Sequence, residues 1–415
     1  MNPQILFYII IGILILNFII DKCIDYLNAK QFNDAIPEEL TDVYNENDYY
    51  KSQSYKKENY HFSFIVSSFT MILTLAFFLF KGFAWIDGLA RNYSDNNIII
   101  ALIFFGIIMI GSDILNTPFS YYHTFVIEEK YGFNKSSKRL FIIDKIKGWL
   151  LSATMGGGIL AVILWFYEKT GESFWLYTWL FIGLFTIFMT MFYSSLIVPL
   201  FNKQKPLEDG PLKDAILEFS NKTSFKLDNI YVIDGSKRST KANAYFSGIG
   251  SKKRIVLYDT LINDLETEEI VAVLAHEIGH YKKKHVFVNM FISILVTGAT
   301  LYFFSLFIDN SILSQALSVE IPSFHIGLVT FGILYSPISE VTGIFMNIIS
   351  RKFEYQADDY AKTKFNGAAL ISSLKKLSRN SLSNLTPHKA NVFVHYSHPT
   401  LLQRVRNLSK GPSKS

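Results

Sequence analysis

The chain has 415 residues, 50% of them hydrophobic, 16% aromatic and only 18% charged. Soluble proteins carry about 25% charged residues, so this composition excludes an ordinary water-soluble domain. A net charge of +5 without a dense basic run excludes nucleic acid as a partner, and a lone cysteine, Cys23, excludes an intrachain disulfide or a cysteine-based zinc cluster.

Seven apolar runs follow one another: 4–20, 61–80, 97–112, 149–167, 174–201, 286–308 and 325–350. Crossing a bilayer takes about 20 apolar residues, so each reads as a membrane helix and the lipid bilayer is an expected partner. The first is expected to be a retained helix, because no positive segment precedes it and Asp21-Lys22-Cys23 replaces a small-residue cleavage site. The third reaches spanning length only with Asp113 inside it, and the last is interrupted by Pro337 and Glu340. Connections 83–96, 168–173 and 309–324 are poor in Lys and Arg, whereas 24–60, 118–148, 202–285 and the tail after 350 are rich. Positive loops stay on the cytoplasmic side, so the N-terminus is expected outside and the C-terminus in the cytoplasm. Gly411–Ser415 carries no lipidation or retention signal.

The expected organisation is therefore helices 1–5 in 1–201, a folded polar region in 202–285, two further spans in 286–350 and a helical end in 351–415. Within the polar region, 211–220 reads as a helix. Ile230–Ile233, Asn243–Gly248 and Ile255–Tyr258 read as strands, with 249–253 turning the chain back. Thr267-Glu268-Glu269 then opens a helix with Thr267 as its N-cap, and Ile270, Val271, Val273 and Leu274 continue it.

That helix ends in His276-Glu277-Ile278-Gly279-His280. His276 and His280 share one helical face and can ligate one Zn²⁺, while Glu277, rotated by about 100°, can act as general base toward water at the metal. Lys282, Lys283 and Lys284 follow, so this turn sits at the cytoplasmic membrane boundary and not in mid-bilayer. A catalytic zinc needs a third protein ligand. Glu354, just past the last span and on the same side, is the leading candidate. Asp358, one turn on, can accept the second N–H of a ligating imidazole. Glu340 is the runner-up, since an ionisable group within a span is a functional candidate by default, and Asp113 invites the same reading.

HEIGH followed by Glu354-Tyr355-Gln356-Ala357-Asp358 resembles the M48 peptidase family. Pro118-Phe119-Ser120-Tyr121-Tyr122 leading to Phe125–Lys135, Pro199–Lys203, Asn243–Phe246 with Arg254–Thr260, and Ser397-His398-Pro399 with Arg404 resemble its CAAX prenyl protease 1 branch. The resemblance implies seven helices forming a barrel around a water-filled chamber, with a small α+β zinc-peptidase domain on the cytoplasmic side. It implies His276, His280 and Glu354 as ligands of one zinc ion and Glu277 as the base. Asn243 and Ala244 match an edge strand that pairs with the substrate backbone. His398 and Arg404 match residues that steady the substrate and the oxyanion. His285, His388 and His395 match nothing and are left as surface residues.

The expected activity is metalloendopeptidase cleavage of peptide or protein substrates, removing C-terminal tripeptides from prenylated CAAX ends. Two alternatives stay open from sequence. One is the same chemistry in membrane-protein quality control without a prenyl requirement, and the other is a scaffold or transporter with structural zinc.

Overall fold

The computed structural model describes residues 2–225, 227, 229–248 and 253–410. The expected turn at 249–252 and the tail 411–415 lie outside the described residues. α1 (Pro3–Ala29) and α2 (Glu46–Leu79) are followed by the short α3 (Gly82–Arg91). α4 (Asn97–Tyr122) continues through a π-helical turn to Glu128. α5 (Lys138–Leu151) joins α6 (Gly157–Thr170) through another π-helical turn. Gly171, with φ 52° and ψ −128°, turns the chain, a conformation glycine adopts without a Cβ penalty. α7 (Phe174–Leu196) and α8 (Val198–Phe201) then fold back, with the Phe181 ring 6.2 Å from that of Phe166.

Six helical stretches among the described residues are long and apolar enough to cross a membrane. Runs 149–167 and 174–201 both fall in one of them, the 64-residue stretch Lys138–Phe201, on either side of Gly171.

The polar region contains β1 (Gln204–Pro206), α9 (Pro211–Lys222), β2 (Ile230–Ile233), β3 (Ala244–Ser247), β4 (Arg254–Tyr258), α10 (Asp259–Asp264) and α11 (Thr267–Lys282). The strands form one sheet in the order β1-β2-β4-β3. β2 and β4 are parallel, and β1 and β3 are antiparallel to their neighbours, which leaves β3 at an edge. Ile255 and Leu257 of β4 are fully buried and pack in one core with Ile216 and Phe219 of α9 and Leu274 and Ile278 of α11. Burying such a side chain contributes about 1.5–3 kcal/mol, so this core holds α11 firmly on the sheet. α12 (His285–Phe307), α13 (Ser311–Ala316) and α14 (Phe324–Lys364) follow, then α15 (Gly367–Asn380), α16 (Lys389–His395) and α17 (Leu401–Ser409).

One local expectation is corrected. The N-cap of α11 is Glu266, one residue before Thr267, because the Glu269 carboxylate reaches back to accept from the Glu266 N–H at 2.9 Å. Pro337 lies inside α14, which continues across it over 41 residues. Proline removes the N–H that would bond the Ile333 carbonyl, and Ser336 Oγ donates to that carbonyl at 2.8 Å instead.

α11 lies against the C-terminal part of α14, and Gly279 sets how close they come. A Cβ there would stand 3.1 Å from Ala357 Cα and 3.1 Å from Tyr360 Cβ. The glycine of HEIGH thus lets the helix carrying Glu354 approach the helix carrying the two histidines.

Candidate active site

α11 is pinned at its start and open at its end. Burial alone would raise the Glu269 carboxyl, but Lys376 Nζ at 2.8 Å, Ser372 Oγ at 2.6 Å and the Glu266 N–H hold it below its ordinary range. These bonds tie α15 to the first turn of α11. At the other end, His276 is buried, while Glu277 and His280 are half-buried and face a cavity of about 300 Å³.

That cavity gathers residues far apart in the chain. Its lining includes His276, Glu277, His280 and Glu354. Asn243, Ala244, His398 and Arg404 line it too, so eight of the nine site residues nominated from sequence meet there. The ninth, Asp358, is fully buried behind His276. His276 Nε2 is 3.1 Å from His280 Nε2 and 3.4 Å from Glu354 Oε2, and His280 Nε2 is 3.2 Å from Glu354 Oε1. Ligands about 2.0–2.1 Å from a tetrahedral metal stand roughly 3.3 Å apart, so the spacing fits one such ion. Glu354 Oε2 is buried and has no hydrogen-bond partner among the described residues. Two imidazole lone pairs and a carboxylate converging on one point call for a cation.

Asp358 Oδ1 lies 2.9 Å from His276 Nδ1, and Arg404 grips the same carboxylate with Nη2 at 2.5 Å and Nε at 2.9 Å. Burial opposes charge on His276, but its contact with Asp358 and the nearby Glu354 carboxylate outweigh that and push its pKa up to about 9 in the metal-free protein. Burial also works against the Arg404 charge, and Asp358 reverses the effect, raising the guanidinium above its ordinary range. Arg404 Nη1 remains 3.7 Å from Glu354 Oε2. His398 Nε2 is 3.3 Å from Glu354 Oε1 on a largely exposed side chain.

Of the groups weighed as third ligand, Glu354 is the carboxylate at the two histidines. Glu340 lies 14 residues earlier on the same helix, about 21 Å along the axis, and away from the metal group. Asp113 is held by Lys145 Nζ and Trp149 Nε1, each at 2.9 Å.

Sequence reading missed His285. It is 3% exposed, not a surface residue, and touches His280. Its only signal was position, five residues after His280, and the three lysines before it made the segment look solvated. His388 is half-buried and caps α16 by accepting from the Ala390 N–H, while His395 is exposed as expected.

Residues 25–203 match the CAAX prenyl protease N-terminal family, described as five membrane helices, and residues 206–411 match peptidase family M48. The CAAX prenyl protease 1 homolog of Dictyostelium discoideum is 36% identical over 93% of each chain. CAAX prenyl protease 1 of Saccharomyces cerevisiae is 34% identical over 96% of this chain and 94% of its own. The Homo sapiens homolog is 30% identical over 90% and 88%. The crystal structure of S. mikatae Ste24p aligns with a TM-score of 0.93 at 33% identity, covering 98% of this chain and 99% of that one. The shared fold and the match over nearly the whole length make this chain a multi-pass membrane metallopeptidase that belongs to family M48, in its CAAX prenyl protease 1 branch.

Proposed function

We propose that the protein holds one zinc ion between His276, His280 and Glu354 and cleaves prenylated CAAX ends, releasing the last three residues. The peptidase reading rests on one observation: three ligand groups, Glu277 and the β3 edge meet in a single cavity. When bound, zinc polarises a scissile carbonyl and lowers the pKa of water. Glu277 takes the proton of the attacking water and passes it to the leaving amine. Asn243 and Ala244 hold an extended peptide at the edge of β3, where backbone pairing demands no particular sequence. His398, exposed beside Glu354, donates to the oxyanion. Arg404 keeps Asp358 ionised against His276 and adds positive charge near the same point. A structural zinc takes four protein ligands, and three converge here among the described residues.

An almost wholly apolar cavity supports the prenyl part of the reading. It measures about 940 Å³ and is lined by Leu102, Phe105, Ile108 and Leu160, among others. It shares Leu151, Met189, Tyr193 and Ile197 with a second cavity of about 920 Å³ that reaches Asn243 and Tyr245. Asn243 also lines the metal cavity, so an isoprenoid chain has apolar room beside the cleavage point. Each CH₂ buried there contributes about 0.8 kcal/mol.

The turn at Gly171 favours counting Lys138–Phe201 as two crossings, hence seven helices in a barrel around a chamber. Loop charges favour a cytoplasmic C-terminus and active site. The decisive experiment compares a farnesylated CAAX peptide with its unmodified twin. The farnesylated peptide is expected to be cut with much higher kcat/KM, and equal cleavage of both would return the protein to a lipid-independent peptidase.

A further inference from the structure

We infer that His285, backed by Gln356, is a positioning residue that fixes the tautomer and ring orientation of His280. His280 turns Nε2 toward His276 and Glu354, so Nε2 is its metal-facing atom. Its other nitrogen, Nδ1, lies 3.0 Å from Nδ1 of His285, and His285 Nε2 lies 2.8 Å from Gln356 Oε1. Two imidazole nitrogens facing each other can share only one N–H. The Gln356 carbonyl oxygen can only accept, so His285 carries its proton on Nε2 and presents a bare Nδ1. His280 must therefore donate from Nδ1, which leaves its Nε2 lone pair free. That is the tautomer a metal requires, and it is selected without placing a charge next to the ligand.

The relay is built to hold still. His285 is 3% exposed, and its ring stacks on Phe353 with centroids 4.0 Å apart and planes 8° apart. Lys284 adopts a left-handed conformation, φ 62° and ψ 24°, between α11 and α12. This turn brings the first residue of α12 back beneath the last turn of α11. Phe353 and Gln356 flank Glu354 on α14. One ring thus couples the orientation of His280 to the helix that supplies Glu354.

The inference rests on the zinc-site reading, and the test separates the two. Zinc affinity of the full-length protein is measured by chelator competition, and the cobalt-substituted protein is examined by visible absorption. His285→Phe keeps an aromatic ring on Phe353 but removes the acceptor. It is expected to weaken zinc binding on the order of 10–100-fold and to alter the cobalt spectrum. His285→Asn, whose Oδ1 can accept from His280, should recover part of the loss. Gln356→Leu leaves the His285 ring in place and should shift the same readouts, so the question stays answerable if His285→Phe does not fold. Wild-type affinity and cobalt spectrum in Gln356→Leu, or in a folded His285→Phe, would overturn the relay. Failure of the wild-type protein to bind zinc tightly would instead overturn the zinc site itself.

Discussion

The two histidines of the proposed metal site are supported in opposite ways. His276 leans on a fully buried carboxylate that is itself gripped by Arg404. His280 leans on a neutral ring and a neutral amide. A carboxylate makes its imidazole more basic, but a buried charge left unpaired is costly, which explains the bidentate arginine. A neutral partner orients its imidazole without adding charge. The difference matters because Glu354 already brings one negative charge to the cavity, and a second carboxylate behind His280 would make the metal-free site harder to fold. On the proposed reading, one ligand is tuned for basicity and the other for direction.

This contrast can be probed from the strongest effect to the weakest. Glu277→Gln should remove 10²–10⁴-fold or more of turnover while zinc content stays normal, because neither support is touched; activity assays beside metal analysis check it. Arg404→Ala should be the most damaging change to stability on the charged side, costing about 3–5 kcal/mol by leaving Asp358 buried without its partner. Thermal unfolding in detergent would register the loss, and an unchanged midpoint would show that the carboxylate does not need the arginine. Gly279→Val should cost about 1–3 kcal/mol and weaken zinc retention, since its side chain meets the α14 backbone at Ala357.

The smallest expected effect is one of pH. In the metal-free protein His276 holds its proton up to about pH 9, so zinc must displace that proton at any lower pH. Apparent zinc affinity should therefore rise between pH 7 and 9. Asp358→Asn should flatten that rise by letting His276 fall back toward its ordinary range. A slope that survives the substitution would remove Asp358 from the explanation.

Much of this site was legible because its parts are local. The four-residue spacing of His276 and His280, Glu277 between them, and Glu354 with Asp358 one turn apart are all helical periodicities. The three strands Ile230–Ile233, Ala244–Ser247 and Arg254–Tyr258 announced themselves through β-branched and aromatic residues. What escaped depends on contacts between distant segments. β1 is three residues ending in proline and is a strand only because β2 pairs with it. His285 is buried by Phe353 and Gln356, some 70 residues away, and no local pattern reports that. How the helix continues past Pro337 was not legible, because the compensating Ser336 hydroxyl is a rotamer choice that composition does not specify.

The edge strand carries a final consequence. An unpaired row of backbone groups invites sticking to any other chain, a hazard that exposed sheet margins create in water. Here all four residues of β3 are half-buried. Tyr245 of that strand meets Ser194 of α7 at 3.2 Å. On the proposed reading, a guest is held there only where its backbone is extended, since only an extended chain offers a matching row of groups. Packing of this strand against α7 leaves less of that row open to a second copy than a fully exposed margin would.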